Sequence, residues 1–255
     1  EIARVFAERH WPTLPYYRPI PRASMLAQKA LHGDDPAPYH AANVLLAAAV
    51  ALAALALLRA PALELPWPLA LAGAALFALH PIASSCVYPI ASGRETLWPT
   101  LFEILAVIAY LRPRGPPLGL CLAATGAALL SKEHALILPL LFVSADLLGL
   151  SRAPPWEPSA WLRRHAPFAL LVLGYFGVRG LIFAGEPRPE LALLSQPYGP
   201  LLSLGYALQV FFAPTRDLVY EPIAAVWISP ARLALALAAS AAIALGIAAR
   251  NPAAQ

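Results

Sequence analysis

The stretch YHAANVLLAAAVALAALALL, residues 39–58, decides the fold class, because it is almost unbroken Ala, Val and Leu. An α-helix of about 20 such residues is as long as the hydrocarbon core of a bilayer is thick, roughly 30 Å. The rest of the chain has the same character: of its 255 residues, 60% are apolar and 13% are charged. Soluble domains average roughly 45–50% apolar and 25% charged residues, so this composition cannot supply a water-facing surface. We expect a single membrane domain built of helices.

Six further apolar runs extend this prediction along the chain. They cover residues 68–84, 97–111, 118–130, 135–150, 167–184 and 230–249. Several are shorter than a full span, so some helices should end inside the membrane boundary or line a cavity. The run 201–212 is too short to count and is interpreted as a helix in the interface or packed in a loop. The predicted fold is all-α, a polytopic transmembrane helix bundle of about seven spans.

The first 38 residues are more polar than the rest of the chain. Ile2, Val5 and Phe6 recur at helical spacing among charged residues, and residues 25–31 form a second short amphipathic stretch. Such segments are typical of amphipathic helices that lie on a membrane surface. We therefore expect residues 1–38 to be part of an external loop and residues 39–255 to be the multi-span domain, with the native chain continuing at both ends.

The positions of Arg in the short loops predict the orientation, because basic residues are retained on the cytoplasmic side. Strict alternation of spans gives one side Arg59, Arg112, Arg114, Arg152, Arg163, Arg164 and Arg250. That side is predicted to be cytoplasmic, and the opposite face to be the periplasmic face of the inner (plasma) membrane. The net charge of +4 is spread over helix ends rather than gathered in one patch. It therefore predicts membrane lipids and no nucleic acid as partners.

The external face collects polar residues that are hard to explain as filler. They are His40, His80, Arg94, Glu95, Lys132 and Glu133. Ionisable groups at such depth are costly unless they pair or line a watery cavity, so their gathering on one face predicts a functional site. The alternative is that the pairs are salt-bridged caps, since Glu95 near a helix N-terminus is favoured by the helix dipole alone. Lys132 is one of only two lysines among 18 basic residues, which favours selection for an ammonium there.

An aromatic pair and a guanidinium precede the first span, in the sequence Tyr16-Tyr17-Arg18-Pro19. An interfacial Arg suits bidentate recognition of phosphate, although it could equally anchor the loop to lipid headgroups. Cys86 and Cys121 have no CxxC spacing and are expected to be free thiols. The histidines and carboxylates form no convincing ligand set, so we expect no metal and no cofactor, and no motif of a soluble enzyme is present.

Several short motifs occur in an order that resembles a known family. They are Tyr17-Arg18-Pro19, His40 with Asn43, ALFALHP at 75–81, Gly93-Arg94-Glu95, LLSKE at 129–133, Leu138-Pro139 and Asp146-Leu147-Leu148, followed by the loop 211–222. In this order they are similar to the membrane domain of the transmembrane and tetratricopeptide-repeat O-mannosyltransferase type proteins and their bacterial relatives, within the GT-C superfamily. The resemblance extends over most of the chain.

The resemblance implies an inverting, polytopic glycosyltransferase. Such an enzyme takes a sugar from a polyprenyl-phosphate carrier and transfers it to a protein or glycan acceptor on the outer face. Arg18, Arg94 and Lys132 are then the candidate cations for the departing phosphate. The supporting residues are Tyr17, His40, His80, Glu95 and Glu133. Since the catalytic carboxylate of these enzymes follows the first span, the general base is expected upstream of Glu1.

Two rival functions share some of these sequence features. A transporter or flippase would use the charged outer residues as a gate, but transporters commonly have internal repeats and polar sites near mid-bilayer. This sequence has no visible repeat, and its polar residues lie at one face. The second rival is a non-catalytic membrane scaffold, which would tolerate Ala at Arg94, Lys132 and Glu133.

Overall fold

The computed structural model describes residues 2–10, 16–80, 83, 86–112, 116–151 and 157–184, together with 237, 238 and 241. The chain divides into two compact units, residues 1–185 and 186–255. The predicted span 230–249, the run 201–212 and the loop 211–222 belong to the second unit and, apart from the three isolated positions, lie outside the described residues. Regular structure in the described ranges is helical throughout, which confirms the all-α class.

The helices follow one another along the chain with short connections. The main α-helices of the described ranges are α1 (Pro19–His32), α2 (Pro36–Leu58), α3 (Trp67–Leu79), α4 (Ile90–Tyr110), α5 (Leu118–Leu129), α6 (Leu138–Leu147) and α7 (Pro158–Ile182). Two short 3-10 helices, Ile2–Phe6 and Glu133–Ile137, precede α1 and α6.

Prolines mark where many of the helices begin. A proline stands at the first or second position of α1, α2, α3, α6 and α7, where the amide it lacks would have no helical partner. Asp35 caps α2, since its carboxylate accepts a hydrogen bond from the Ala37 amide at 3.0 Å. Asp35 thus starts the helix with the higher mean hydropathy of the two that are long enough to span a membrane.

Two helices begin earlier than their apolar runs. α4 starts at Ile90 rather than at 97, so Arg94 and Glu95 lie inside the helix. α7 starts at Pro158 rather than at 167, so Arg163 and Arg164 are helical and do not lie in a loop. A hydropathy pattern detects only the apolar part of a helix. The polar first turns of α4 and α7 are stabilised by side-chain contacts that the pattern does not show. The run 135–150 is likewise divided between the second 3-10 helix and α6.

Among the described residues, two helices are long and apolar enough to cross a membrane. α2 has a mean hydropathy of 2.4 over its best window and α7 one of 1.4. Only 22% and 11% of those windows are buried within the protein. Leu45 and Leu52 of α2 and Leu173 and Leu181 of α7 are exposed. A core helix of a soluble protein buries its apolar face, so these exposed faces support membrane association.

The prediction of about seven spans is not confirmed. α3, α5 and α6 have 13, 12 and 10 residues. At 1.5 Å per residue they extend about 15–20 Å, against a hydrocarbon thickness of roughly 30 Å. α4 is longer, at 21 residues, but carries Arg94, Glu95 and Glu103. Only α2 and α7 have the length and composition of a full span within the described ranges.

The N-terminal segment folds onto the protein. In the 3-10 helix Ile2–Phe6, Val5 is buried while Ile2 and Phe6 are exposed. The Tyr17 hydroxyl donates to the Phe6 carbonyl at 2.9 Å, and α1 packs against this segment, α2 and α4. The predicted boundary at residues 38 and 39 is not tested and stays a prediction.

The core lies where α4, α5, α6 and α7 meet. Tyr110, Phe142 and Phe168 form its aromatic centre, with ring centroids of Tyr110 and Phe142 4.3 Å apart and of Phe142 and Phe168 4.8 Å apart. Small residues such as Ala106, Ala124 and Ala128, all buried, let the helices approach closely around these rings. α4 also packs against α2, so it is the central element of the unit.

α4 contains an interior proline. Pro99 is buried, and because it lacks an amide hydrogen, the carbonyl of Glu95 four residues earlier has no helical donor. The end of α4 that carries Arg94 and Glu95 is therefore separated from the rest of the helix by a missing backbone hydrogen bond.

Candidate functional site

The turn after α5 is held against the start of α1. The backbone amide of Ile20 donates to the carbonyl of Leu130 at 3.2 Å. Ser131 is fully buried, and its hydroxyl donates to the carbonyl of Ala127 at 2.7 Å. These bonds place Lys132, whose own amide is bonded to Ala128, next to Arg18 at the N-cap of α1.

Arg18 joins two carboxylates from different parts of the chain. Its NH1 donates to Oε2 of Glu95, and its Nε and NH2 donate to Oε2 of Glu133 at 3.1 and 2.9 Å. Tyr16 covers the guanidinium, which lies 4.2 Å from the ring centroid. Burial acts to lower the pKa of Arg18, but Glu133 and Glu95 together outweigh it and the pKa is raised. Arg18 therefore stays charged.

Glu95 has a second partner on its other oxygen. The Nε2 of His10 lies 2.6 Å from Oε1 of Glu95, and both side chains are nine-tenths buried, at 7% and 9% exposure. Glu95 is thus held between a guanidinium and an imidazole. No sequence motif predicts His10 as a site residue.

Lys132 is a half-buried ammonium with a neutral partner. Its Nζ donates to the Thr96 hydroxyl at 3.2 Å, and among the described residues no carboxylate oxygen lies within the 4.0 Å of an ion pair. Burial lowers the pKa of Lys132, and the nearby Arg18 lowers it further, against the attraction of Glu95 and Glu133. An ammonium has three donors, so capacity for an added anion remains. His10, Arg18, Glu95, Lys132 and Glu133 together are called the Arg18 cluster.

Glu133 also keeps an unused atom. Its Oε2 accepts from Arg18, whereas its Oε1 is buried and has no hydrogen-bond donor within the part of the chain that the structure describes. Burial of an unpaired carboxylate oxygen is costly. This atom is therefore suited to accept a hydrogen bond from a ligand.

Arg94 points to different partners. Its Nε donates to Oδ1 of Asn43 at 2.8 Å, and its NH2 donates to Oε1 of Gln28 at 2.6 Å and to the Tyr39 carbonyl at 3.3 Å. The guanidinium thus ties α4 to α1 and α2. These contacts favour a positioning role over the direct phosphate contact predicted for Arg94. Among the described residues, Arg94 donates only to neutral acceptors. The three cations Arg18, Arg94 and Lys132 therefore have only two carboxylates, Glu95 and Glu133, beside them.

Gly93 allows α4 to approach its neighbours. A Cβ at this position would lie 2.3 Å from the carbonyl oxygen of Cys86 and 2.9 Å from Nδ2 of Asn43. The Asn43 amide donates to the Ile90 carbonyl at 3.1 Å and is completely buried. The Gly93-Arg94-Glu95 sequence therefore combines a close contact, an interhelical tie and a member of the Arg18 cluster.

The remaining predicted residues lie around this cluster rather than in it. Tyr17 is buried, its ring 6.2 Å from that of Tyr175, and burial raises its pKa. His40 is exposed on α2 and makes no side-chain hydrogen bond to another described residue. His80 is half-buried at the C-terminal end of α3. The structure thus brings together Arg18, Glu95, Lys132 and Glu133, and leaves His40 outside.

Two cavities meet at His10. One, of about 440 Å³, lies among residues 7–10, α1 and the end of α7, and the other, of about 430 Å³, lies among α1, α2 and α4. His10 and Arg22 line both, and Lys132 lines neither of the two. The wall of the second is largely apolar, formed by Pro21, Met25, Leu26, Pro36, Tyr39, Ile90 and Ala91.

A second charged group lies at the far end of α4. Asp146 of α6 is fully buried, and its Oδ2 accepts from the Tyr110 hydroxyl at 2.8 Å, from Nε of Arg164 at 2.7 Å and from Nε2 of His165 at 3.1 Å. Its Oδ1 accepts from NH2 of Arg164 at 2.9 Å and from the hydroxyl of Ser151. Tyr110, Asp146, Ser151, Arg164 and His165 together are called the Asp146 cluster.

The sequence offers little signal for His10 or for the Asp146 cluster. His10 follows an amphipathic stretch and belongs to no spaced motif. The loop position predicted for Arg164 is wrong, although its helical position beside Pro158 could be inferred from the N1 preference of proline. Within the described residues there is no group of three or more His, Cys, Asp or Glu that could hold a metal.

Comparison with known proteins gives no match: no protein-family model, no curated protein and no solved structure is similar to this chain. A functional interpretation therefore depends on the geometry and on the resemblance of the short motifs.

Proposed function

We propose that the protein is a membrane glycosyltransferase of the GT-C type. It transfers a sugar from a polyprenyl-phosphate carrier to a protein or glycan acceptor on the outer, periplasmic face of the inner membrane. The observation that carries this proposal is Lys132, a half-buried ammonium that donates to one neutral hydroxyl and stands beside Arg18. Such a cation is suited to a phosphate that gains charge as the sugar leaves.

In this proposal the carrier phosphate binds to Lys132 and draws Arg18 from one of its two carboxylates. Glu95 and Glu133 keep Arg18 charged and oriented until the phosphate arrives. Arg94 positions Glu95 by tying the start of α4 to Asn43. The buried Oε1 of Glu133 accepts a hydrogen bond from a sugar hydroxyl.

The exposed apolar faces support a substrate that is itself a lipid. α2 and α7 present leucines to their surroundings along most of their length. In a bilayer these faces would contact acyl chains, and a polyprenyl chain could approach the Arg18 cluster without leaving the apolar phase. The multi-span arrangement, with α3 to α6 completing the domain inside the membrane, belongs to this proposal.

The test is turnover of the carrier by the purified protein in lipid nanodiscs. Polyprenyl-phosphate-linked hexoses are supplied, and release of polyprenyl phosphate is followed. Lys132→Ala should lower the rate about 100-fold, the usual effect of removing a donor to developing charge. Arg4→Ala removes an exposed cation from the same N-terminal unit and should leave the rate unchanged.

Equal rates for Lys132→Ala and the unaltered protein would exclude Lys132 from the site. Absence of turnover with every carrier would exclude the transferase. Movement of intact lipid-linked sugar across the bilayer would then indicate a flippase, and absence of both would indicate a scaffold.

A further inference from the structure

We propose that the cavity between α1, α2 and α4 binds an anionic phospholipid of the surrounding membrane. The phosphate binds to Arg22 and Lys29, and part of an acyl chain lies against the apolar wall. Arg22 and Lys29 do not belong to the Arg18 cluster, and this site can be occupied whether or not the protein transfers a sugar. The inference therefore goes beyond the proposed function.

One face of α1 supplies both the charged and the apolar part of the site. Arg22, Met25, Leu26 and Lys29 all line the cavity, and offsets of three, four and seven residues place them on the same side of a helix. At 1.5 Å per residue, Arg22 and Lys29 are about 10 Å apart along the helix axis, with the apolar pair between them. Cations beside apolar residues on an amphipathic helix are typical of contact with membrane lipids.

The apolar wall of the cavity is open to a ligand. Met25 and Leu26 of α1 line it together with Ile90 and Ala91 of α4, and all four residues are half-buried. The volume of about 430 Å³ is in the range of small-ligand sites. An acyl chain that covers these side chains removes apolar surface from water, which favours binding.

The cavity lies at one end of a helix that is apolar enough to cross a membrane. Pro36 and Tyr39, in the first turn of α2, belong to its lining. Gln28 of α1 donates to the carbonyl of Pro38 at 3.2 Å, and the Tyr39 hydroxyl donates to the carbonyl of Gly33 at 2.8 Å. These bonds tie α1 to the start of α2. In a bilayer crossed by α2, lipid headgroups lie at this level, where tyrosine is enriched.

The charges of the lining favour an anion. Two cations, Arg22 and Lys29, and one carboxylate, Asp34, line the cavity, whereas the imidazole of His10 is bound to Glu95. The lining therefore has one positive charge in excess. A lipid with one net negative charge offsets it, and anionic headgroups attract basic residues near a membrane surface.

Both cations keep donors for a phosphate. Lys29 pairs with Asp34 at 3.3 Å, but the two side chains are 63% and 89% exposed, and a pair of this kind contributes little to stability. Arg22 donates to Glu8 at 3.0 Å and to the carbonyl of Arg9 at 2.6 Å. These two bonds occupy two of the five N–H donors of the guanidinium. A phosphate can thus bind without displacing a buried contact.

The test is lipid binding by the full chain in a neutral detergent, measured by native mass spectrometry. Dihexanoyl phosphatidylglycerol is compared with dihexanoyl phosphatidylcholine, which has the same chains and no net charge. We expect phosphatidylglycerol to bind more tightly.

Two substitutions at the cavity should have opposite effects on the binding of phosphatidylglycerol. Lys29→Gln should weaken it about fivefold, the contribution of one basic residue close to an anionic lipid. Asp34→Asn removes the carboxylate beside Lys29 and should strengthen it. Arg4→Gln removes an exposed cation outside the cavity and should leave the affinity unchanged. Because Lys29 and Asp34 are both largely exposed, neither substitution should disturb the fold.

A second pair of variants tests the apolar wall. Ala91→Leu fills part of the cavity without changing its charge, so it should weaken the binding of both lipids. Ala41→Leu adds the same atoms to an exposed position of α2 and should have no effect on either affinity.

Several results would overturn the phospholipid site. They include equal affinity for the two lipids, and an affinity for phosphatidylglycerol that Lys29→Gln leaves unchanged. Glycerophosphoglycerol, the same headgroup without acyl chains, should not displace the lipid, and displacement would indicate a site for a soluble phosphate instead. Displacement by polyprenyl phosphate that is lost in Lys29→Gln would assign the cavity to the carrier. Each result is independent of carrier turnover, which tests the proposed function separately.

Discussion

The Arg18 cluster and the Asp146 cluster both bury a carboxylate beside a guanidinium, yet they differ in how fully their carboxylate oxygens are used. Both oxygens of Asp146 are saturated, by Tyr110, Ser151, Arg164 and His165. In the Arg18 cluster, Lys132 donates to one hydroxyl, and Oε1 of Glu133 has no donor among the described residues. A buried carboxylate whose two oxygens both accept hydrogen bonds stabilises a fold, whereas an unused carboxylate oxygen is suited to a ligand.

The difference also follows from where the clusters stand. The Asp146 cluster closes the core at the end of α4, where Tyr110 stacks on Phe142. The Arg18 cluster lies where α4 begins, beside two cavities that meet at His10. Substitutions should therefore affect stability at one end of α4 and ligand binding at the other.

The largest effect is expected from Asp146→Ala. It would remove the carboxylate that pairs with Arg164, whose side chain is 12% exposed, at a cost of about 3–5 kcal/mol. The measurement is thermal unfolding in detergent followed by tryptophan fluorescence. Arg163→Ala, which removes the exposed neighbouring cation, should stay within about 0.5 kcal/mol of the unaltered protein. Similar unfolding temperatures for the two variants would show that the Asp146 cluster does not stabilise the fold.

Gly93→Ala should have the next largest effect. Its Cβ would meet the Cys86 carbonyl at 2.3 Å, and because that atom is backbone, α4 must shift, at a cost of about 1–3 kcal/mol. The matched control is Gly174→Ala in α7, where no atom lies within 4 Å of the new Cβ. That change should stabilise the helix by up to about 1 kcal/mol. In the same unfolding assay, Gly93→Ala should lower the free energy of unfolding and Gly174→Ala should raise it. Equal effects of the two changes would contradict the close contact between Gly93 and Cys86.

The smallest effect is a shift in pH dependence at Lys132. Burial and then Arg18 lower its pKa, so its ammonium is lost at lower pH than that of a free lysine. Affinity for polyprenyl phosphate should fall as the pH rises through this lowered pKa. Lys132→Arg should move the loss to higher pH, because a guanidinium keeps its proton. If the affinity for polyprenyl phosphate varied with pH in the same way for Lys132→Arg and the unaltered protein, Lys132 would not bind the phosphate.

The same lowered pKa has an opposite effect on folding. Between it and the ordinary lysine pKa the unfolded chain binds more protons than the folded one, so the stability without ligand rises with pH over that window. As the pH rises, the affinity for polyprenyl phosphate should thus fall while the free energy of unfolding rises. An ammonium with a purely structural role would change the stability alone.

The sequence predicted the helical class and placed Arg18, Glu95 and Lys132 in one candidate site, because apolar runs and charged interruptions are local patterns. It could not show that Arg94 turns towards Asn43 while Glu95 turns towards His10, since these are adjacent residues whose directions depend on packing. The pairing of Asp146 with Arg164 escaped prediction for a related reason. The polar first turns of α7 carry no apolar signal, and their helical state comes from Pro158 and from the contact itself.

Pro99 has a consequence for how the site can vary. Pro99 leaves the carbonyl of Glu95 without its helical donor, and the first turns of α4 are tied to neighbouring elements by side chains, Arg94 on Asn43 and Glu95 on Arg18. The start of α4 thus has one backbone hydrogen bond fewer connecting it to the part of the helix that packs on the aromatic core. Related sequences could retune the tilt of that short segment, and with it the accepted substrate, without repacking Tyr110, Phe142 and Phe168.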